Sequence, residues 1–236
     1  EWKNRLGRSV DILWGFKSDG LYQTEEELAM APKTPYKDAQ VGDIRYIDIN
    51  GDGWLNEDDR VEVGRSTTPE MMFAFSGDMN WKGLDFSVQF QGAALCDKFL
   101  LHAWGNGAED ANPLTRPWYG GWDNAPLFLV ENSWRPDNPN AAFPRLSTSP
   151  ISNNSLASDY WKKNGAYLRL KNVTLGYTLP KKWTKKALIE NLRFYVSGNN
   201  LLTFTEFKYL DPESPNVING YYPQQRTFVF GVDVTF

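Results

Sequence analysis

Apolar and polar residues alternate with a period of two in several stretches of the chain, most regularly at its end. Phe228, Phe230, Val232, Val234 and Phe236 share one parity, and Val229, Gly231, Asp233 and Thr235 the other. Such alternation marks a strand with one apolar face. Leu84, Phe86, Val88 and Phe90 alternate in the same way with Asp85, Ser87, Gln89 and Gln91. So do Leu192, Phe194 and Val196 with Arg193, Tyr195 and Ser197, and, less regularly, the residues from Phe73 to Met79. Between Tyr167 and Tyr177 the parity changes: Leu168 and Leu170 precede Val173, Leu175 and Tyr177. A bulge near Asn172 reconciles the two halves. A sixth strand is expected from about Ser9 to Lys17, which holds Val10, Ile12, Leu13, Trp14 and Phe16.

The connections between these strands are unequal. Lys82-Gly83 is a tight turn, and residues 179–190 hold Pro180 and a short helical stretch from Lys181 to Ile189. Residues 18–70, 95–159 and 204–225 are long, and the last two are rich in loop-forming residues. If the 9–17 strand runs outward, every long connection falls on one side. That is the pattern of outer-membrane barrels, with short periplasmic turns and long outer loops. The fold class expected is therefore all-β, with antiparallel strands. A soluble β-sandwich shows the same alternation, because sandwich cores and barrel exteriors look alike residue by residue. The long irregular segment 95–159 favours the barrel, since compact domains seldom carry one.

Composition narrows the choice. The chain has 236 residues, 41% hydrophobic and 15% aromatic, with a net charge of −4. That balance fits a globular chain and argues against a nucleic-acid partner, which needs a basic face. The single cysteine, Cys96, excludes an internal disulfide framework, and the single histidine, His102, excludes a site needing two imidazoles. The longest uncharged apolar run, Ala125 to Val130, is far short of the roughly 18–20 residues of a spanning helix. Spanning strands need only about 9–11 residues and keep overall hydropathy low. The mean hydropathy is −0.52. The chain opens without Met or signal peptide, as a fragment of a longer protein would.

The sharpest local motif runs from Asp48 to Asp59. It matches the calcium-loop spacing D-x-[DN]-x-[DN]-G. Asp48, Asn50 and Asp52 stand at positions 1, 3 and 5, and Gly53 at the sharp turn. The Trp54 carbonyl, Asn56 and Asp59 stand at positions 7, 9 and 12. A structural Ca²⁺ is expected there, stiffening a surface segment. The alternative is an Asx- and Gly-rich turn that needs no metal. Asn56 is placed to cap a short turn with Asp59 at its third position. Thr24-Glu25-Glu26-Glu27 reads as a capping box opening a short helix that Pro32 stops, not as a catalytic pair. Nucleophile-elbow and phosphate-loop motifs are absent. A pair such as Asp110 and Glu131 is not diagnostic of a glycosidase. The chain is not expected to be an enzyme. Trp104, Trp118, Trp122 and Trp134 either stack on sugars or a partner, or pack their own loop.

Several segments together resemble one family. They are Gly15-Phe16-Lys17-Ser18-Asp19-Gly20-Leu21-Tyr22, Gly42-Asp43-Ile44-Arg45-Tyr46-Ile47-Asp48 and Trp81-Lys82-Gly83-Leu84-Asp85-Phe86. Further along come Trp134-Arg135-Pro136-Asp137-Asn138-Pro139, Pro144-Arg145-Leu146 and, most diagnostic, Tyr167-Leu168-Arg169-Leu170-Lys171-Asn172-Val173-Thr174-Leu175-Gly176-Tyr177. Leu192 to Leu202 and Asp211-Pro212-Glu213 follow. In this order the chain resembles the C-terminal part of SusC/RagA-type TonB-dependent outer-membrane transporters of Bacteroidetes. The resemblance covers essentially all of residues 1–236. It implies a barrel of about 22 strands, with a plug that this sequence lacks. It also implies import of glycans or peptides across the outer membrane, together with a SusD-like surface lipoprotein, and energy coupling to TonB through the missing N-terminal part. Phe236 then ends a membrane strand. The rival from another class is a soluble, secreted, calcium-stabilised β-sandwich, either a carbohydrate-binding module or a glycosidase.

Overall fold

The computed structural model describes residues 6–9, 12–36, 39–100, 127–147, 151–213 and 224–236. In chain order the strands are β1 (Leu13–Gly15), β2 (Ser18–Leu21), β3 (Ile44–Tyr46), β4 (Val61–Gly64), β5 (Met71–Trp81), β6 (Leu84–Ala94), β7 (Asp97–Phe99), β8 (Lys162–Asn164), β9 (Tyr167–Thr178), β10 (Asn191–Thr205) and β11 (Thr227–Thr235). The described residues also form three short α-helices: α1 (Glu25–Ala29), α2 (Leu127–Glu131) and α3 (Lys181–Thr184). No described helix is long and apolar enough to cross a membrane. The chain divides into two compact units. One holds Glu1–Thr68, Asp97–Lys163 and Ser214–Tyr221; the other holds Pro69–Cys96, Asn164–Glu213 and Tyr222–Phe236.

The second unit is a five-stranded antiparallel sheet in the order β11-β10-β9-β6-β5. Five of the six expected strands are in it. Met71 pairs with Ala94 and Trp81 with Leu84, so β5 and β6 form a hairpin closed at Lys82-Gly83. Both turn residues have positive φ, 48° and 90°, which suits the right-handed twist of the flanking strands. The link between β9 and β10 folds as α3 followed by a 3₁₀ turn, Lys185–Ala187. It leaves from the same end of the sheet: the Thr178 N–H donates to the Gly83 carbonyl at 2.7 Å, and that of Glu190 to Thr235 at 2.8 Å. The long connections leave from the opposite end. The bulge lies one residue from its expected place. Asn172 pairs with Gln89 and Leu170 with Phe90, so Lys171 is the extra residue that changes the parity of β9.

The first unit corrects one expectation. Ser9–Lys17 is not a sixth strand of the large sheet. Among its described residues the strand is Leu13–Gly15, which pairs with β4 with a register break, and Phe16 turns fully into this unit's core. Alternation already fails in the sequence where Ile12 and Leu13 adjoin. The connections 18–70 and 95–159, expected as long outer loops, share one compact unit. Residues from both build one core around Phe16, Ile44, Tyr46, Phe143 and Trp161. Apolar side chains spaced without period still bury together when turns bring them into range.

A buried polar network holds this core in register. Asp43 is fully buried. Its Oδ2 accepts from Arg145 Nη2 at 3.0 Å and from the Gln40 N–H at 2.8 Å, and its Oδ1 accepts from Asn154 Nδ2 at 2.8 Å. Arg145 Nε stands 2.9 Å from Oδ1. Asn154 Oδ1 accepts from the Ile44 N–H, its carbonyl accepts from Trp161 Nε1, and the Tyr46 hydroxyl donates to the Asn153 carbonyl. Burial raises the Asp43 carboxyl above its usual range, against the pull of Arg145. Burial likewise raises the Tyr46 phenol. Removing one partner of such a pair leaves an uncompensated charge, so Arg145→Ala is expected to cost about 3–5 kcal/mol. The check is denaturant unfolding of the full-length receptor, followed by tryptic cleavage within residues 12–68. An unchanged midpoint would assign the network no structural weight.

Candidate functional site

The five-stranded sheet has one continuous apolar face. Directly opposed residues of an antiparallel pair share a face. Phe75 opposes Phe90, Met79 opposes Phe86, and Phe86 opposes Leu175. Leu175 opposes Val196, which opposes Phe230, and Phe194 joins Tyr177 to Val232. Phe86, Val88, Phe90, Phe194, Val196, Phe230 and Val232 therefore share one face. Phe75 and Phe90 stack across strands with centroids 4.8 Å apart. The face is uncovered: Phe75 is 53% exposed, Phe204 57% and Phe230 80%. No second sheet lies across it among the described residues of this unit, as a sandwich requires.

The other face is polar and tied by charge. Arg193 on β10 reaches across β9 to Asp85 on β6, with Nε to Oδ1 at 2.9 Å and Nη2 to Oδ2 at 2.6 Å. Its Nη1 donates to Asp233 Oδ2 on β11 at 2.9 Å. One guanidinium thus bridges four strands, using the fork geometry that makes Arg–carboxylate pairs strong. The bridge needs room on the strand it crosses. A Cβ at Gly176 would lie 2.5 Å from both Asp85 oxygens, and one at Gly231 would strike the Tyr195 ring at 2.2 Å. That ring sits 4.8 Å beneath the guanidinium. Arg193, Asp85 and Asp233 are legible in the sequence as polar-phase residues. Their convergence is not, since only the register brings positions 85 and 193 together.

A second ion cluster closes the far end of β9. Arg169 Nη2 donates to Asp211 Oδ1 at 2.6 Å, and Lys171 Nζ to Glu213 Oε2 at 3.0 Å. Asp211 also accepts from the N–H groups of Glu213 and Gln224, both at 2.9 Å. Asp211-Pro212-Glu213 thus folds back onto Arg169 and Lys171, two segments that the sequence separates by 42 residues. Burial pushes the Asp211 carboxyl up, but Arg169 and the two N–H groups outweigh it and hold the group below the usual range.

The acidic loop is brought together as a chain of turns. Asp48 accepts from the N–H groups of Gly51 and Gly53, Asn50 from Asp52, and Asp52 from Trp54. Asn56 and Asp59 form the expected capping box on the 3₁₀ turn Glu57–Asp59. Asp59 is buried, and it also accepts from Ile49. Trp54 lies outward with Lys33 Nζ 5.5 Å above its ring. Among the described residues, no three acidic, thiol or imidazole side chains gather closely enough to hold a metal ion. The loop's carboxylates are engaged by its own backbone, as in an Asx turn.

The remaining candidates resolve simply. Thr24 Oγ1 caps α1 through the Glu27 N–H, while the Glu27 carboxylate returns to Gln23 and not to Thr24. Trp134 packs on Gly42 and donates to Gln23 at 3.1 Å, so it anchors its own unit. Glu131 ends α2. His102, Asp110, Trp104, Trp118 and Trp122 lie outside the described residues.

No family model matches the chain. It is 32% identical over 98% of its length to TonB-dependent receptor P26 of Formosa agariphila, of which it covers 23%. It is 29% identical to TonB-dependent receptor P3 of the same organism, with the same coverage. Against TonB-dependent receptor SusC of Bacteroides thetaiotaomicron it is 26% identical over 81% of its length, and it covers 17% of that protein. The fold matches the RagAB peptide importer in the open-open state with a TM-score of 0.61, 21% identity, and 95% of this chain on 22% of that one. The chain spans a quarter or less of the length of the curated relatives it matches.

The depressed Asp211 carboxyl has a definite pH consequence. A group held below its unfolded value, about 3.9, contributes stability that is present above that value and lost as pH falls through the folded one. Protection of the Glu213 and Gln224 amides against hydrogen exchange is therefore expected to fall below about pH 4, after correction for intrinsic rates. In Asp211→Asn the pH step should vanish. A step that survives the substitution would assign it to another group.

Proposed function

Starting from a chain of the SusC/RagA type of TonB-dependent receptor, we propose that its five-stranded sheet is part of the wall of an outer-membrane nutrient importer. The two-faced sheet carries this reading. A face of exposed Phe, Leu and Val over strands of 9 to 15 residues is long enough to span hydrocarbon. The ion-paired face suits a wet interior. The hydrogen-bonding edges of β5 and β11 require neighbouring strands, because an open sheet edge is not tolerated in lipid. A barrel of about 22 strands supplies them.

The imported cargo is a glycan or peptide, captured between the barrel and a SusD-like lipoprotein and released inward by TonB acting on the plug. The RagAB importer carries peptides by its name, and it supports the peptide half of this choice. The relatives are receptors and transporters, which supports a non-enzymatic role. The calcium-type spacing of Asp48, Asn50, Asp52, Trp54, Asn56 and Asp59 supports a structural Ca²⁺ held by oxygen donors. Binding would require Asp48 and Asp52 to share their backbone N–H bonds with the ion.

Three measurements test these readings. Val196→Lys, between Leu175 and Phe230, is expected to cost about 2–4 kcal/mol. It should reduce the heat-modifiable folded receptor in outer membranes, whereas Ser197→Lys on the polar face is tolerated. Equal effects at both positions would remove the distinction between lipid and lumen. Deleting the gene for the proposed SusD-like lipoprotein should abolish growth on the cargo but not on its monomers, and unchanged growth on the cargo would remove that partner. Finally, micromolar-to-millimolar Ca²⁺ should change the fluorescence of Trp54, as compared with Trp54→Phe, and Asp48→Asn should abolish the change. No response in the unsubstituted receptor would leave the loop as a hydrogen-bonded turn.

A further inference from the structure

The end of the sheet with the short connections carries a concentrated basic and aromatic surface. The link after β9 reads Pro180-Lys181-Lys182-Trp183-Thr184-Lys185-Lys186-Ala187-Leu188. Its four lysines are exposed; Thr184 alone points inward. Trp183 is 60% exposed and Leu188 85%. The neighbouring hairpin turn adds Lys82 and Trp81, the latter 63% exposed. In both places a lysine ammonium lies over an indole, 5.1 Å from the Trp81 ring and 5.9 Å from the Trp183 ring. The acidic counterpart on the link is Glu190, 3.6 Å from Lys181. Trp81 pairs with Leu84 and Leu84 with Tyr177, so Trp81 continues the apolar face.

We infer that this surface binds the anionic headgroups of phospholipids in the leaflet that borders the periplasm. Five lysines supply charge complementarity, and the apolar face with which the patch is continuous is the one read above as facing lipid. Indole rings favour the interfacial depth, where one end is apolar and the other wet. Lysines just beyond the hydrocarbon keep their ammonium groups at headgroup level. Basic residues near an anionic surface are attracted to it, and clusters of four or more select anionic lipid. The link is then an anchor that fixes the depth of β9 and β10 from below.

The inference rests on the barrel reading, and its test separates the two. Full-length receptor is inserted into vesicles of phosphatidylcholine with and without phosphatidylglycerol, and insertion is scored by heat-modifiability. Failure to insert would overturn the barrel reading itself. Inserted receptor is then extracted and its retained lipid measured by native mass spectrometry. Phosphatidylglycerol is expected to be enriched over its bulk fraction. The enrichment should fall at least five-fold when Lys182, Lys185 and Lys186 are all replaced by Gln. Lys208→Gln, in the connection after β10, should leave it unchanged. High salt during extraction should weaken the enrichment, as it screens exposed charge. Equal enrichment in the triple variant, or a variant that keeps its lipid but no longer binds the purified periplasmic domain of TonB, would overturn the inference.

Discussion

A backbone surrounded by hydrocarbon has no water to bond, so each N–H and C=O must find its partner on the next strand. In the proposed outer-membrane wall, the five-stranded sheet meets that requirement through its ladders. Once the ladder is continuous, register is no longer free, because a one-residue slip would carry every apolar side chain to the wrong face. The hairpin at Lys82-Gly83 sets β5 against β6, and the remaining strands inherit the register by pairing in turn. The extra residue at Lys171 shifts the parity of β9 without breaking the shared face, and its ammonium is taken up by Glu213.

The first unit meets the opposite constraint. Its backbone is irregular, so its buried polar groups cannot rely on ladders. Side chains replace them: Asn154 accepts from the Ile44 N–H, Asn153 donates to the Ile44 carbonyl, and Asp43 gathers Arg145, Gln40 and Asn154. The segments Gly42–Tyr46 and Pro144–Leu146 have recognisable sequences for this reason. Each supplies one half of a contact whose partner lies about a hundred residues away. The acidic loop is a third solution, in which Asp and Asn side chains close successive turns over only a few residues.

The strands were legible because their signal is local. Phe228 to Thr235 and Leu84 to Gln91 announce both period and facing within eight residues. The Asn56–Asp59 capping box and the Thr24 cap were legible for the same reason, since donor and acceptor lie three residues apart. What failed was tertiary. Phe16 sits in a segment that looks strand-like, yet it is drawn into a separate core by Tyr46 and its neighbours. Residues 18–70 and 95–159 read as loops because their apolar positions follow no period, although together they build that core. The Arg193 bridge and the Arg169–Asp211 pair were out of reach for a related reason. Charge alone does not say which of 29 acids an arginine will meet.

The bridge across β9 also bears on how such a wall can change over generations. Gly176 is vacant space shaped by Asp85 and Arg193, and Gly231 is vacant space shaped by Tyr195. A side chain at either glycine is admissible only after the groups above it have shrunk. Losing Asp85 alone leaves Arg193 with Asp233 as its remaining carboxylate partner on the bridge. Positions 85, 176, 193, 195, 231 and 233 are therefore sterically and electrostatically coupled, so that a change at one constrains what the others can hold. On the exposed apolar face Gly92 is held in the same way, since a Cβ there would strike the Phe73 ring at 2.5 Å, whereas Phe230 and Val232 are freer to exchange one hydrocarbon side chain for another.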